Sequence, residues 1–319
     1  MILTKAQRKH RVLSIAASAA AICMIAAGTM HVGHAEEIQA HDCSQESVCY
    51  PNDGNGYNAA QLKQIANDMS ANGENSKYYA QFKRYMDLAD SDGDGDKRGN
   101  VKMTNGSTME FRLIGMNHDD KADGTGKAGL TFMATDASKI PAHAMFTSSN
   151  YTYVNGGWRD TDLRKQMNSG DIWTLMPQEF QSNISPVIKI TDNGPATGPY
   201  YKKANVSSTV DKLWLISYNE LVETSYWWYN NAIEYEGSQY YFFKNKVTQN
   251  HSPNTVLNSS HIKVPYRWLW ERWWWERSSS PSNHSFLIID YDGNPSINGD
   301  PSGGISAGSD LGVVPCFSF

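Results

Sequence analysis

The chain has 319 residues, a formal net charge of −5 and four cysteines. An acidic balance repels phosphate backbones and anionic headgroups, which argues against nucleic acid and against electrostatic membrane binding. Four cysteines are too few for a disulfide scaffold, and a chain of this length buries a core without one.

Lys5, Arg8, Lys9 and Arg11 precede an apolar run from Val12 to Met30, and Gly33 and Ala35 then occupy the −3 and −1 positions of a cut before Glu36. That order of parts predicts a secretory signal peptide over residues 1–35. Left uncleaved, the same segment would hold the protein at the cell surface. Its loss removes four basic and no acidic side chains and takes the charge from −5 to −9. No second long apolar stretch follows, so no other membrane association is expected. In an oxidising compartment Cys43 and Cys49 are spaced to close a small disulfide loop. Cys316, among Val313, Val314 and Phe317, reads as a buried thiol.

Residues 36–95 divide into a polar lead-in pinned by that disulfide, a helical hairpin and an acidic linker. Leu62, Ile65, Ala66 and Met69 share one helical stripe, and Tyr78, Phe82, Tyr85 and Met86 share another. "ANGEN" breaks the pattern between them. In "DSDGDGDKRGN", Asp90, Asp92, Asp94 and Asp96 imitate the opening of a calcium loop, but Val101 stands where its bidentate Glu should be. The stretch is therefore a linker, and a domain boundary is placed there. Beyond it, Thr108–Met116, "GLTFMAT" and "KLWLIS" are strand-like, and "HSFLIIDYDGNPSI" reads as a hairpin turning at Asp292-Gly293. "TDLRKQMNSGDIWTLM", with Leu163, Met167 and Trp173, and "SQYYFFKNKVTQN" are helical candidates. The fold class is α+β with irregular connections.

No catalytic set emerges. "GISAG" matches a nucleophile elbow around Ser306, yet only eleven residues follow Gly308 and none is His. His118 in "NHDDKADG" neighbours two carboxylates, but neighbours on a strand point to opposite faces, and no metal-ligand spacing supports it. Neither metal nor cofactor is expected.

"WLWERWWWERSSS" places Trp268, Trp270, Trp273, Trp274 and Trp275 within eight positions. As a single strand neither face would be cleanly apolar, so a break near Glu271-Arg272 is predicted. The second half would then be a core strand. The first half, "VPYRWLW", would be a partly exposed lead-in.

The ending "WWWERSSSPSNHSFLIIDYDGNPSI…LGVVPCFSF" resembles that of a bacterial extracellular domain family of unknown function, which closes with W-[WL]-x-R-S, an apolar strand, a turn and G-V-x-P. "GGWRDTDLRKQMN" and "TVDKLWLISYNEL" resemble two upstream motifs of the same family, so the likeness runs from about residue 105 to 319. Glu276 stands where the pattern has an apolar residue, and Val314 where many members carry Arg. The closing pattern also looks like that of the wider C-type-lectin-like and formylglycine-generating-enzyme-like fold. The resemblance implies a domain over residues 100–319 with irregular loops and a central antiparallel sheet whose terminal strands pair. It implies that Trp274, Trp275, Arg277, Gly312 and Pro315 are a structural signature. Tyr266, Trp268 and Trp270 precede that signature and are left as the aromatics a ligand would meet. The calcium-dependent sugar motifs of C-type lectins and the cysteine pair of the formylglycine-generating type are both missing. The expected function is a secreted binding or adhesion module for an extracellular glycan or surface protein, without catalysis. The alternatives are an extracellular enzyme on that scaffold without the cysteine pair, or a structural surface protein.

Overall fold

Asn58 starts the first helix by a reciprocal cap. Its side-chain oxygen accepts from the Gln61 backbone N–H at 3.0 Å, and the Gln61 side chain accepts from the Asn58 backbone N–H at 3.1 Å. Helix α1 (Ala59–Asn72) buries Ala59, Leu62, Ile65, Ala66 and Met69 and ends at Gly73, whose φ of 57° suits glycine. Helix α2 (Tyr79–Asp87) buries Phe82 and Met86. The predicted helical hairpin thus forms. α1 lies so close to the sheet below that a Cβ on Gly129 would stand 2.0 Å from the Ala66 carbonyl oxygen.

The structure, a computed structural model, describes residues 37–88, 95–147, 156–193, 206–222, 235–247, 255–265, 273–280, 285–295 and 304–319. The segment predicted as a signal peptide, Asp90, Asp92 and Asp94 lie outside them. All named strands pair antiparallel. A small ladder joins β1 (His41–Asp42) to β3 (Asn55–Gly56) beside the expected Cys43–Cys49 disulfide, whose Cα atoms are 5.4 Å apart. The main sheet has five strands in the order β12-β6-β5-β4-β2. These are β2 (Val48–Cys49), β4 (Arg98–Lys102), β5 (Thr108–Met116), β6 (Leu130–Asp136) and β12 (Cys316–Ser318). β7 (Val187–Asp192) pairs with β8 (Val206–Asp211), while β9 (Trp274–Ser279), β10 (Ser285–Ile289) and β11 (Ile305–Ser306) form a three-stranded sheet. Short helices α3 (Gly157–Asp160), α4 (Asp162–Asn168), α5 (Asp171–Leu175), α6 (Gln178–Asn183) and α7 (Tyr218–Leu221) complete a mixed α+β arrangement.

Several expectations change. The boundary near residue 95 separates nothing: β2 enters the main sheet through Val48↔Val101, and residues 38–319 make one compact unit. Tyr50 packs on Phe82, Phe111 and Phe132 at ring-centroid distances of 5.9, 5.8 and 5.0 Å, so lead-in, hairpin and sheet share one aromatic core. Asp96 is no solvated linker residue either, since it pairs with Arg98 at 3.0 Å and with buried Arg112 at 3.2 Å. The terminal strands of the expected domain do not pair, because β12 lies against β6, and both β6 and β5 stand between it and β4. "KLWLIS" is buried but joins the sheet only through the bridge Trp214↔Cys316, and "SQYYFFKNKVTQN" yields one 3₁₀ turn, Tyr241–Phe243. β10 runs into the predicted turn, but its ladder partners are β9 and β11, with the near side of the hairpin reduced to the bridge Ile289↔Pro295.

Candidate functional site

Two Asx turns face each other across a groove of about 590 Å³. On one rim Asp136 accepts from the Ser138 backbone N–H at 3.1 Å and hydroxyl at 2.7 Å. On the other, Asn258 accepts from the Ser260 backbone N–H at 3.0 Å and hydroxyl at 2.9 Å. Both serine protons are thereby engaged, which leaves their oxygens as acceptors toward the groove. Lys139, Ser259, Ile262, Lys263, Val264 and Pro265 complete the lining. Lys263 lies 3.6 Å from Asp136 and is more than half exposed, and Lys139 has no ion-pair partner among the described residues.

The lining segment is fastened to the sheet by its backbone. The Lys263 N–H donates to the Thr135 carbonyl at 2.8 Å, and the Ala137 N–H donates to the Lys263 carbonyl at 2.8 Å. Behind it sits Gly312, where a Cβ would stand 2.6 Å from the Val264 Cβ. Gly312 accepts from the Trp275 N–H at 3.1 Å, and the Trp275 indole donates to the His143 carbonyl at 2.8 Å. Trp274, Trp275, Arg277, Gly312 and Pro315 are all buried. Tyr266, Trp268 and Trp270 lie outside the described residues, but they follow Pro265 of the lining directly in the chain.

A second constellation is wholly internal. β7 inverts the usual alternation: Ile188 and Ile190 face solvent while Lys189 is 3% exposed. Lys189 donates to Asp119 at 2.6 Å and to Tyr240 at 3.1 Å, and it also contacts Glu220. Tyr240 donates across both Asp119 oxygens at 3.0 Å, and Thr131 donates to Oδ2 at 2.8 Å. Arg277 grips Glu220 with both terminal nitrogens, one of them at 3.0 Å, and reaches the carbonyls of Leu215, Ile190 and Glu236. Burial pushes the Asp119 and Glu220 carboxyls up, but Lys189 beside the first and Arg277 with Lys189 beside the second more than reverse this, so both lie below their ordinary values. His118 stacks on Tyr240 with centroids 4.1 Å apart, and burial lowers its pKa. Among the described residues no three His, Cys, Asp or Glu side chains are grouped to hold a metal, and no helix is long and apolar enough to cross a membrane.

The sequence motifs meet in space. Trp158 and Arg164 of the first upstream motif both donate to Asp211 of the second, at 3.0 and 2.6 Å. Glu220 of the second holds Arg277 of the closing motif. Residues 131–318 match a family model described as a domain of unknown function, DUF6273.

The chain belongs to the DUF6273 family.

No curated protein and no solved structure matches the chain. The first and last residues of the DUF6273 span are partners on adjacent strands: Thr131 pairs with Ser318, and their hydroxyls are 2.9 Å apart. The fold does not close at Thr131, however. β4 and β5 extend the same sheet upstream, and Asp119 supplies a carboxylate to the family's own Lys189. Lys189, Glu236 and Tyr240 carried no signal that sequence reasoning used. Glu220 had one, the S-x-x-E box in "SYNE", whose Ser217 caps α7 while Glu220 accepts from the Ser217 N–H at 3.1 Å.

Proposed function

We propose that this DUF6273 protein is an exported bacterial binding module of adhesion type, on a C-type-lectin-like scaffold, that recognises an extracellular glycan or surface protein. The observation that carries this is the groove. Its volume falls within the roughly 300–1,000 Å³ usual for small-ligand sites, and its lining combines an apolar floor, serine acceptors and two lysine donors. Three aromatic side chains, Tyr266, Trp268 and Trp270, follow directly in the chain and suit stacking on a sugar ring. The signal-peptide pattern of residues 1–35 and the Cys43–Cys49 disulfide support export. Cys316 supports binding over thiol chemistry, because burial pushes its pKa well up and away from a reactive thiolate.

A glycan array probed with the full-length protein tests the reading. At least one oligosaccharide class should bind, and Trp268→Ala, Trp270→Ala and Lys139→Glu should each weaken it, about five- to tenfold for an indole. Full binding in all three variants would place the ligand elsewhere. Turnover of a bound oligosaccharide would favour the enzyme.

A further inference from the structure

Lys189, Asp119 and Glu220 place an amine, a carboxyl and a second carboxylate in one dry compartment. Each of the three is at most about 5% exposed. The Lys189 ammonium lies 4.9 Å from the Trp214 ring centroid and 5.4 Å from that of Tyr240, so aromatic walls close the space around it. In water an amine and a carboxylate do not condense, because hydration favours the separated ions and water drives the reverse reaction. Here both conditions are removed, and the pair is held at 2.6 Å for the lifetime of the fold, where contact of this kind reaches effective molarities of about 10⁵–10⁸ M.

We propose that Lys189 and Asp119 condense into an intramolecular amide bond, with Glu220 relaying a proton. The ammonium gives one proton to Asp119 Oδ1 across their contact, and a second to Glu220 as the C–N bond forms. The freed Nζ lone pair forms the C–N bond at the Asp119 carboxyl carbon. Negative charge then gathers on Oδ2, where the Thr131 hydroxyl at 2.8 Å and the Tyr240 hydroxyl at 3.0 Å stabilise it. Glu220 returns its proton to Oδ1, the C–O bond breaks with its electron pair, and Oδ1 departs as water. The balance is one ammonium and one carboxylate to one amide and one water, with Glu220 regenerated. Arg277 holds Glu220 in contact with the amine, and no oxidant or further reactant is required. The cross-link ties the loop after β5 to β7, and so joins the segment upstream of Thr131 to the DUF6273 span. The proposal does not depend on the groove.

Intact-mass measurement of the folded, reduced full-length chain decides it. The expected mass is one water below the sequence mass, and peptide mapping should recover one branched peptide joining the Asp119 and Lys189 segments. Lys189→Arg and Glu220→Gln should each restore the full mass. A wild-type chain that shows native near-ultraviolet dichroism and still carries its full mass after prolonged incubation overturns the proposal. A cross-link that persists in folded Glu220→Gln overturns the role of Glu220.

Discussion

Two adjacent side chains of β9, Arg277 and Glu276, are equally sealed from water but differently provided for. Strand alternation sends them to opposite faces. Arg277 meets Glu220 and three backbone carbonyls, leaving only its Nε without a partner. Neither oxygen of Glu276 has a hydrogen-bond partner among the described residues. Burial, and then the neighbouring Glu236, push the Glu276 carboxyl well above its ordinary value, against a smaller opposing pull from Arg277, so the fold favours its neutral form. The pairing with β10 is irregular over this stretch, between Phe286 and Ile288. Burial alone therefore does not say what a polar side chain contributes; the partners on its face do.

The largest expected effect comes from breaking the satisfied side. Arg277→Met should cost about 3–5 kcal/mol, because it strands Glu220 as a buried carboxylate without the guanidinium that grips it. Urea unfolding measures this, and a loss below 1 kcal/mol would show that the grip on Glu220 is not what holds the motifs together. The same contrast recurs one step along the strand. Trp275 bonds the His143 carbonyl, while the Trp274 indole N–H has no partner among the described residues. Trp275→Ala should cost about 3–5 kcal/mol for the cavity and the lost bond together, and Trp274→Ala about 1 kcal/mol less, for the cavity alone. Equal losses would show that the Trp275 bond adds nothing beyond packing.

Glu276→Leu should move the other way, stabilising by roughly 1–3 kcal/mol through removal of an unsatisfied buried group. Its pH dependence follows from the direction of the shift. A carboxyl raised on folding contributes stability below its ordinary range and loses it as pH rises toward the folded value, so the advantage of leucine should widen from pH 5 to pH 8. The acid limb should be the same in both proteins, since Glu220, lowered on folding, loses its contribution as pH falls. Denaturant midpoints at three pH values check both limbs, and a constant difference would mean that Glu276 does not titrate differently on folding. The smallest effect belongs to the groove. Lys139→Glu should change stability by less than about 0.5 kcal/mol, as exposed sites usually do, while lowering affinity for whatever the glycan array selects. A melting shift as large as that of a core variant would place Lys139 in the fold.

Where local periodicity and composition settle a residue's surroundings, the sequence alone sufficed. The helical stripes of the hairpin, β5, the Cys43–Cys49 loop and the buried Cys316 are of this kind, since each follows from spacing within a few residues. The lead-in was legible locally but not in its allegiance, because Val48 and Tyr50 find their partners on β4, β5 and β6 more than fifty residues later. The charge cluster was not legible at all. "VIKITD" alternates as though its isoleucines faced inward, and only the convergence of Asp119, Glu220 and Tyr240 from three other segments makes Lys189 the inward residue. The groove is likewise tertiary, for its rims lie at Asp136–Ser138 and Asn258–Lys263, brought together by two backbone hydrogen bonds. Local order is carried by neighbours a turn or a pleat away, which a sequence displays. The site is carried by charges and carbonyls that meet only after the chain has folded, and a buried ion takes its place by its partners rather than by its period.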